Sequence, residues 1–283
     1  MSQQKNINFN GKDIIIKALD GVNIEDALNF KPTQNWFENM KLQKNLYLDE
    51  LEFREVFYFG TKPGFVTWSC KVRDHNLSLE DYTLKYGSQN GYYLPGYVFC
   101  RGNSVSILPI LSCKEDNTIY TALVEQARIP IGKESKLEIP AGILSDTDGN
   151  IKSAALDEIK QELDIKDLNL SNLVDLGSIY WGESVNKWTT SCGALDEHII
   201  SFAFHKNITK KWIHDTNGKL TGENNSGERI KVKIIRLDNL MFKSRDSKSL
   251  VSYLLYERLL KYKLIDKKLN KLGRPYPCSC NIT

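Results

Sequence analysis

The chain has 283 residues, of which 41% are hydrophobic and 26% are charged, and its formal net charge is +3. A chain of this length can bury a substantial core, either as one large domain or as a core domain with a smaller appendage. The nearly balanced charge gives no indication of nucleic-acid binding. No apolar run approaches the roughly 20 residues of a membrane helix, and the polar start Met1–Lys5 lacks the hydrophobic region of a signal peptide. We therefore expect a soluble cytoplasmic protein.

The first part of the chain, residues 1–94, is predicted to form a helical and β-rich region. Two short helices are predicted, over Ile24–Phe30 and Thr33–Leu42. Strands are predicted at Val56–Phe59 and, from alternating hydrophobic residues, at Val66–Val72. The aromatic residues in this region indicate that it packs against a partner.

Residues 95–265 are predicted to form a second region in which strands and helices are mixed. A long polar loop is predicted from Lys206 to Gly227, and a final helix from about Ser247 to Leu264 carries leucines on one face. The predicted strands are Tyr97–Cys100, Val105–Leu111, Thr118–Gln126, Leu173–Tyr180, Ile199–Phe204 and Arg229–Leu237. The leucines of the final helix are Leu250, Leu254, Leu255 and Leu259.

The most informative segment is a glycine-containing loop, Glu138–Gly142, followed by an acidic helix that ends near Ile165. On a helix with 3.6 residues per turn, Glu158 and Glu162 share a face, so two hard carboxylate ligands can meet one Mg²⁺ ion. A hydrophobic stripe on the same helix indicates a buried side. The residues of that stripe are Ile151, Ala155, Ile159 and Leu163.

This loop and helix resemble the Nudix box, the motif with which Nudix hydrolases bind the metal ions used in diphosphate hydrolysis. The residues that fit the motif are Gly142, Glu158, Ile159, Glu162 and Ile165. Three residues depart from it: Asp157 replaces an arginine, Gln161 a glutamate and Asp164 a glycine. Asp146 or Asp148 can stand for the upstream acid of the motif.

The resemblance extends beyond the box to the ADP-sugar diphosphatase branch of the family, especially the plant ADP-glucose diphosphatase type. It covers most of residues 18–264 in several separate segments with matching order, which is a stronger signal than one motif. The matching segments are Pro95–Gly102, Glu125–Lys133, Glu138–Gly142, Cys192–Glu197 and Gly227–Val232.

The resemblance implies a fold, a set of partners and a reaction. The fold is the Nudix α/β/α sandwich with a mixed sheet, preceded by a β-rich region that helps to form a homodimer. The reaction is hydrolysis of a nucleoside diphosphate sugar, ADP-glucose or ADP-ribose, to AMP and a sugar phosphate, with Mg²⁺ or alternatively Mn²⁺ as the cofactor.

The resemblance also implies the site residues. It assigns the catalytic role to Glu158, Glu162 and Glu228, with Glu223 as an alternative to Glu228 because the register of that loop is open. It assigns the metal to Ala141, Glu158, Glu162 and Gln161, and the substrate to Arg101, Arg128, Glu138 and Gly193. The alternative is a Nudix-fold protein that binds nucleotides with little or no turnover, which Asp157, Gln161 and Asp164 favour.

Two further expectations concern the cysteines and the C-terminal residues. The six cysteines and four histidines show no zinc-binding spacing, so we expect free thiols. Residues 266–283 are expected to form a basic disordered tail. Because Cys280-Asn-Ile-Thr has the form of a prenylation signal and Cys278 precedes it, membrane association through a lipid on Cys280 is the alternative.

Overall fold

The structure is a computed structural model that describes residues 3–75, 78, 80, 93–94, 96–144, 150–222 and 229–269. The chain forms two compact units. Unit 1 comprises Met1–Asn103 and Thr189–Glu197, and unit 2 comprises Ser104–Trp188 and His198–Thr283. The predicted regions divide the chain at other residues, 94 and 265, and those domain bounds stay a prediction.

Unit 1 is built on a five-stranded sheet in the order β1-β2-β3-β4-β5. Neighbouring strands are antiparallel except for β2 and β3, which are parallel. The strands are β1 (Gln3–Phe9), β2 (Lys12–Ala18), β3 (Leu46–Phe59), β4 (Lys62–Asp74) and β5 (Tyr97–Cys100). The sequence-based prediction contains β3 and β4 in part and β5 with its observed bounds, but it lacks β1 and β2.

Helices α1 (Ile24–Asn29) and α2 (Lys31–Lys41) confirm the two predicted helices of this unit. The helix α1 begins at Asn23, whose side chain accepts hydrogen bonds from the backbone amides of residues 25 and 26. Trp36 of α2 packs edge-on against Trp68, with 5.2 Å between the ring centroids, and Trp68 is almost completely buried. Trp68 of the sheet thus finds a packing partner in α2.

Unit 2 is built on a mixed sheet whose main path is β10-β12-β6-β7-β14-β13. The pair β12 and β6 is parallel, and the other pairs with a described register are antiparallel. Beside this path, β8 pairs with β7, β9 with β6 and β11 with β12. The strands are β6 (Ser104–Cys113), β7 (Thr118–Arg128), β8 (Lys133–Glu138), β9 (Ala141–Ile143), β10 (Val174–Asp175), β11 (Lys187–Thr189), β12 (His198–Ile208), β13 (Leu220–Thr221) and β14 (Ile230–Arg236).

Two hydrophobic clusters lie on opposite faces of this sheet. On β6, Val105 and Ile107 belong to one cluster and Leu108 and Ile110 to the other, as the two-residue period of a strand requires. The first cluster also contains residues of α3, and the second contains residues of α4, α6 and α7. The helices are α3 (Ile151–Leu163), α4 (Leu176–Trp181), α5 (Lys210–Thr216), α6 (Leu240–Lys243) and α7 (Ser247–Lys261). This arrangement confirms the predicted mixed α/β fold.

Several predictions for unit 2 are wrong in detail. The predicted strand Leu173–Tyr180 is a two-residue strand followed by the helix α4, because the Asp175 side chain caps that helix by accepting a hydrogen bond from the Ser178 amide. The predicted loop Lys206–Gly227 contains α5 and β13. In α7, Leu254 is exposed, while Leu255 and Leu259 are buried.

Within the described residues, no helix combines the length and the apolar character needed to cross a membrane. The four cysteines of these residues, Cys70, Cys100, Cys113 and Cys192, are free thiols, as predicted. Cys278 and Cys280, on which the lipid alternative rests, lie outside the described residues.

Candidate active site

The helix α3 carries the two glutamates that the sequence singles out. It begins after Asn150, whose side chain accepts a hydrogen bond from the Lys152 amide. Its buried side is formed by Ala155, Leu156, Ile159 and Leu163, which join the first hydrophobic cluster of unit 2. Ile151, predicted for the same stripe, lies in the first turn and is exposed. The buried side fixes the rotation of the helix and therefore the direction of its glutamates.

Glu162 is a buried carboxylate that contacts the start of β9. Only 5% of the residue is exposed, and its Oε2 atom accepts a hydrogen bond of 3.1 Å from the backbone amide of Ala141. A charged group is costly to bury without such partners. The contact places the carboxylate beside the backbone of Ala141, the residue that the family resemblance assigns to the metal.

Glu158, one helical turn earlier, contacts the next residue of β9. A Cβ atom on Gly142 would lie 1.7 Å from Glu158 Oε1 and 2.1 Å from its Cδ. Only a glycine leaves room for the carboxylate at this position. Two successive residues of β9 therefore border two carboxylates of α3.

Arg128, Glu138 and Lys248 form an ion cluster in the same unit. Arg128 donates two hydrogen bonds to the Glu138 carboxylate, from Nε at 2.9 Å and from Nη2 at 2.8 Å. Lys248 Nζ donates to Oε2 of Glu138 at 3.0 Å and to Oδ1 of Asp246 at 3.1 Å. Only 4% of the Glu138 side chain is exposed, compared with 36% for Arg128.

The environment of Glu138 keeps it charged. Burial alone would raise the pKa of its carboxyl, but the hydrogen bonds and positive charges of Arg128 and Lys248 outweigh this effect and hold the pKa below its usual value. The pKa of Arg128 is raised, chiefly by its hydrogen bonds to Glu138. The guanidinium group therefore stands at this site as a permanent planar cation, the type of group that recognises phosphate well.

The loop after α5 is tied to the C-terminal end of α3. The Thr221 hydroxyl donates a hydrogen bond of 2.6 Å to the backbone carbonyl of Glu162, and the Gly222 amide donates one of 3.1 Å to the carbonyl of Gln161. The last carbonyls of a helix have no partner within the helix, so these contacts stabilise its end. Glu223 and Glu228, the predicted acids that follow in sequence, lie outside the described residues.

The other two predicted substrate-binding residues, Arg101 and Gly193, lie in unit 1. The Phe99 amide donates a hydrogen bond to the carbonyl of Ala194 at 2.8 Å, which brings β5 beside residues 192–197. The Asp196 carboxylate accepts hydrogen bonds from the backbone amides of residues 101 and 102, and Arg101 Nε lies 3.5 Å from Glu197 Oε1. Two segments that are 95 residues apart in sequence therefore meet around Arg101.

With this geometry, comparison with known proteins decides the family. The chain is 30% identical over 253 residues to Nudix hydrolase 14, chloroplastic, of Arabidopsis thaliana, a match that covers 86% of the chain and 76% of the relative. The chain belongs to the Nudix hydrolases. No protein-family model matches it. The chain also matches a solved structure of an ADP compounds hydrolase, with 10% sequence identity and a TM-score of 0.49. The match covers 78% of this chain and 96% of the solved one. The assignment rests on the sequence relative.

Two of the three departures from the Nudix box now have a structural account. Asp157, in the position of the arginine, is an exposed residue that pairs with Lys160 one turn along the helix. Asp164, in the position of the glycine, ends α3 in the left-handed conformation with a φ of 53°. Aspartate tolerates this conformation better than most residues, and Lys219 and Lys166 pair with its carboxylate. Neither substitution disturbs the helix that carries the Nudix glutamates.

The oxygen atoms beside β9 suit the divalent metals that Nudix hydrolases generally use. Two carboxylates border the Ala141–Gly142 backbone, and hard oxygen ligands are those that Mg²⁺ prefers. Gln161 is exposed on α3. In the described part of the chain, no group of three or more His, Cys, Asp or Glu side chains is arranged to hold a metal ion. The predicted upstream acids, Asp146 and Asp148, lie outside that part.

Sequence reasoning missed several residues that the structure brings to these sites. Lys248 is 110 residues from its partner Glu138, and no local pattern indicates the pairing. Thr221 lies in a segment predicted as a loop, so its contact with α3 could not be inferred. Asp196 and Glu197 lie in a segment that carries the family resemblance, and that was the signal available for them.

Proposed function

We propose that this Nudix hydrolase cleaves the diphosphate of a nucleoside diphosphate sugar, ADP-glucose or ADP-ribose, to AMP and a sugar phosphate, with Mg²⁺ as its cofactor and Mn²⁺ as an alternative. One observation carries the proposal: the carboxylates of Glu158 and Glu162 border the successive residues Gly142 and Ala141. The segments that resemble the ADP-sugar diphosphatase branch support the choice of substrate.

Each assigned residue has a role in this proposal. Glu158, Glu162 and the Ala141 carbonyl would hold the metal, with Gln161 as a further neutral ligand. Bound there, the metal would supply positive charge to the diphosphate and would make a nearby water more acidic. Arg128, oriented by Glu138, adds a positive charge that binds the diphosphate of the substrate.

Three further residues complete the proposal. Arg101 and Gly193, which the family resemblance assigns to the substrate, contact its nucleoside or sugar part. Glu228 serves as the general base: its carboxylate accepts the proton that the attacking water loses, with Glu223 as the alternative. Each of the two glutamates is replaced by glutamine, and turnover and nucleotide affinity are measured for both variants. The glutamate with this role is the one whose replacement abolishes turnover and leaves nucleotide affinity unchanged.

The reaction is tested with the pure chain, ADP-glucose, ADP-ribose and UDP-glucose, with and without Mg²⁺, by chromatography of the nucleoside monophosphate. Glu162→Gln keeps the size of the side chain and removes its charge, and we expect it to lower the rate by roughly 100-fold or more. Asp157→Asn is the matched control, since it makes the same chemical change on the exposed side of the same helix. No product above the Glu162→Gln level overturns the proposed reaction.

The second candidate function is nucleotide binding without useful turnover. The exposed Gln161 favours it, because the amide at this position of the box lacks the charge of a glutamate and cannot serve as a base for water. Calorimetric binding of ADP-ribose by the wild-type chain, together with no product in the assay above, would establish this second function.

We also propose a homodimer and a cytoplasmic location, with lipid attachment to Cys280 as the alternative to the latter. Exposed aromatic residues of unit 1, Phe59 and Tyr97 among them, support association with a second copy. Light scattering coupled to size exclusion tests the dimer, and a monomeric mass at micromolar concentration contradicts it. Cell fractionation tests the location, and mass spectrometry of the C-terminal peptide tests the lipid.

A further inference from the structure

Three consecutive residues before β9 are held by the segment that starts α7. The Ser244 hydroxyl donates to the carbonyl of Leu137 at 2.7 Å, Lys248 donates to the Glu138 carboxylate at 3.0 Å, and the Ile139 amide donates to the Ser249 hydroxyl at 3.0 Å. Both serines are completely buried, and their hydroxyl oxygens are 2.9 Å apart. The chain then passes through Pro140 to Ala141, beside Glu162.

Lys248 is the charged member of this set, and it shares an acceptor with Arg128. Oε2 of Glu138 accepts from Arg128 Nη2 and from Lys248 Nζ, while Oε1 accepts from Arg128 Nε. Lys248 is in turn held by Asp246, which caps α7 by accepting from the Ser249 amide. The side chains of Lys248 and Asp246 are 18% and 11% exposed, so both are fixed by their surroundings.

This sharing matters because a buried carboxylate needs a counter-charge at all times. Suppose that Arg128 were the only cation beside Glu138 and turned a donor group towards a phosphate. The buried carboxylate would then lose most of the positive charge that stabilises it. With Lys248 in place, Glu138 keeps one cation while Arg128 engages an anion. The cost of moving the guanidinium group is therefore smaller.

We propose that Lys248 is a positioning residue: it keeps Glu138 compensated so that Arg128 can bind the diphosphate of the substrate. This inference rests on the proposed function, because it assigns Arg128 to the phosphate. Lys248 itself does not touch the substrate, and its effect passes through Glu138 to Arg128.

The test compares kcat and KM for ADP-ribose among the wild-type chain and five variants. Lys248→Met is expected to raise KM roughly tenfold, the size typical of supporting contacts, and to change kcat by less than about twofold. Lys248→Arg keeps a cation that can donate to Glu138 and is expected to restore KM. Arg128→Met and Arg128→Met/Lys248→Met are expected to have the same KM within about twofold, because Lys248 acts through Arg128. Lys243→Met, a surface lysine of α6, is the control and leaves KM unchanged.

The outcomes separate this inference from the proposed function. Thermal unfolding of each variant identifies loss of folding, and Lys248→Gln, which also removes the charge, takes the place of the methionine variant if that one does not fold. An active wild-type chain with unchanged KM in Lys248→Met, or with additive effects in the double variant, overturns the role of Lys248 alone. If the wild-type chain binds ADP-ribose without turnover, dissociation constants replace KM in the same comparison. If the wild-type chain acts on ADP-glucose and not on ADP-ribose, the same comparison is made with ADP-glucose; a wild-type chain that neither cleaves nor binds either compound overturns both proposals.

Discussion

Gly142 and Glu158 occupy the same small space: a Cβ atom on residue 142 would lie 1.7 Å from the Glu158 carboxylate. The three nearest heavy atoms to that Cβ position all belong to the Glu158 side chain. An added methyl group would therefore displace a flexible carboxylate and leave the backbone in place. The glycine of the Nudix box serves here to let a glutamate reach the backbone of β9.

Gly142→Ala should separate activity from stability. We expect it to lower kcat on the order of 100-fold, because displacing a proposed metal ligand by about 1 Å can cost that much, while thermal unfolding changes little. The comparison is Gly177→Ala, where the added Cβ would lie 2.2 Å from the backbone oxygen of Asn186. That variant should lose roughly 1–3 kcal/mol of stability, since backbone must move. Full activity in Gly142→Ala would contradict the assigned position of Glu158.

The helix α3 could be predicted from the sequence, whereas the helix α4 and the hairpin of β1 and β2 were missed. A continuous helical period with buried Ala155, Ile159 and Leu163 made α3 clear. In contrast, Leu173–Tyr180 is rich in strand-forming residues, and the cap by Asp175 outweighs that preference. The hairpin of β1 and β2 carried a local signal, Asn10-Gly11, with φ values of 52° and 79°. A polar composition concealed it.

The same distinction applies to the candidate site. Glu158 and Glu162 were predicted from the period of one helix, and the family resemblance assigned Arg128 and Glu138 to the substrate without indicating that they pair. The contacts of Lys248 with Glu138 and of Thr221 with Glu162 join residues that are 110 and 59 positions apart. They depend on how α7 and β13 pack in unit 2, and one sequence contains no local pattern for such pairs.

Asp164 provides a test of why the box tolerates the loss of its glycine. Asp164→Ala keeps the unfavourable φ and removes the ion pairs with Lys219 and Lys166, whereas Asp164→Gly also removes the ion pairs but relieves the backbone. We expect the glycine variant to be more stable than the alanine variant by about 1–2 kcal/mol in urea unfolding. Equal stability of the two variants would show that the left-handed conformation at residue 164 costs nothing.

The four described cysteines should react with iodoacetamide at very different rates. Burial raises the pKa of the Cys70 thiol to about 11 and also raises that of Cys100, so at pH 8 neither carries much thiolate, the reactive form. Cys192 is exposed and should be the first of the four to be alkylated. Peptide mapping by mass spectrometry measures the order, and Cys192→Ser is the control that removes the fast peptide. Alkylation of Cys70 as fast as that of Cys192 would contradict the burial of the Cys70 thiol.

Glu138 should make the stability of the chain depend on pH in a defined direction. Because its folded pKa lies below the unfolded value, its charge stabilises the folded state above the unfolded pKa, and that contribution is lost as the pH falls through the folded pKa. Glu138→Gln should therefore cost about 2–3 kcal/mol at pH 7.5, since it leaves Arg128 and Lys248 without their buried anion.

The difference between wild type and Glu138→Gln should be constant at pH values well above the pKa of an unfolded glutamate, about 4.3, and should shrink as the pH falls below it, because the unfolded carboxyl then takes up a proton before the folded one does. Urea unfolding at pH 7.5, 5.0 and 3.5 measures it, with Glu134→Gln, an exposed residue of β8, as the matched control. The control should stay within about 0.5 kcal/mol of wild type at each pH. A difference for Glu138→Gln that grows on acidification would mean that the folded carboxyl is protonated more readily than the unfolded one. Arg128 and Lys248 would then not keep the Glu138 carboxyl charged, and the basis for the role of Lys248 would be lost.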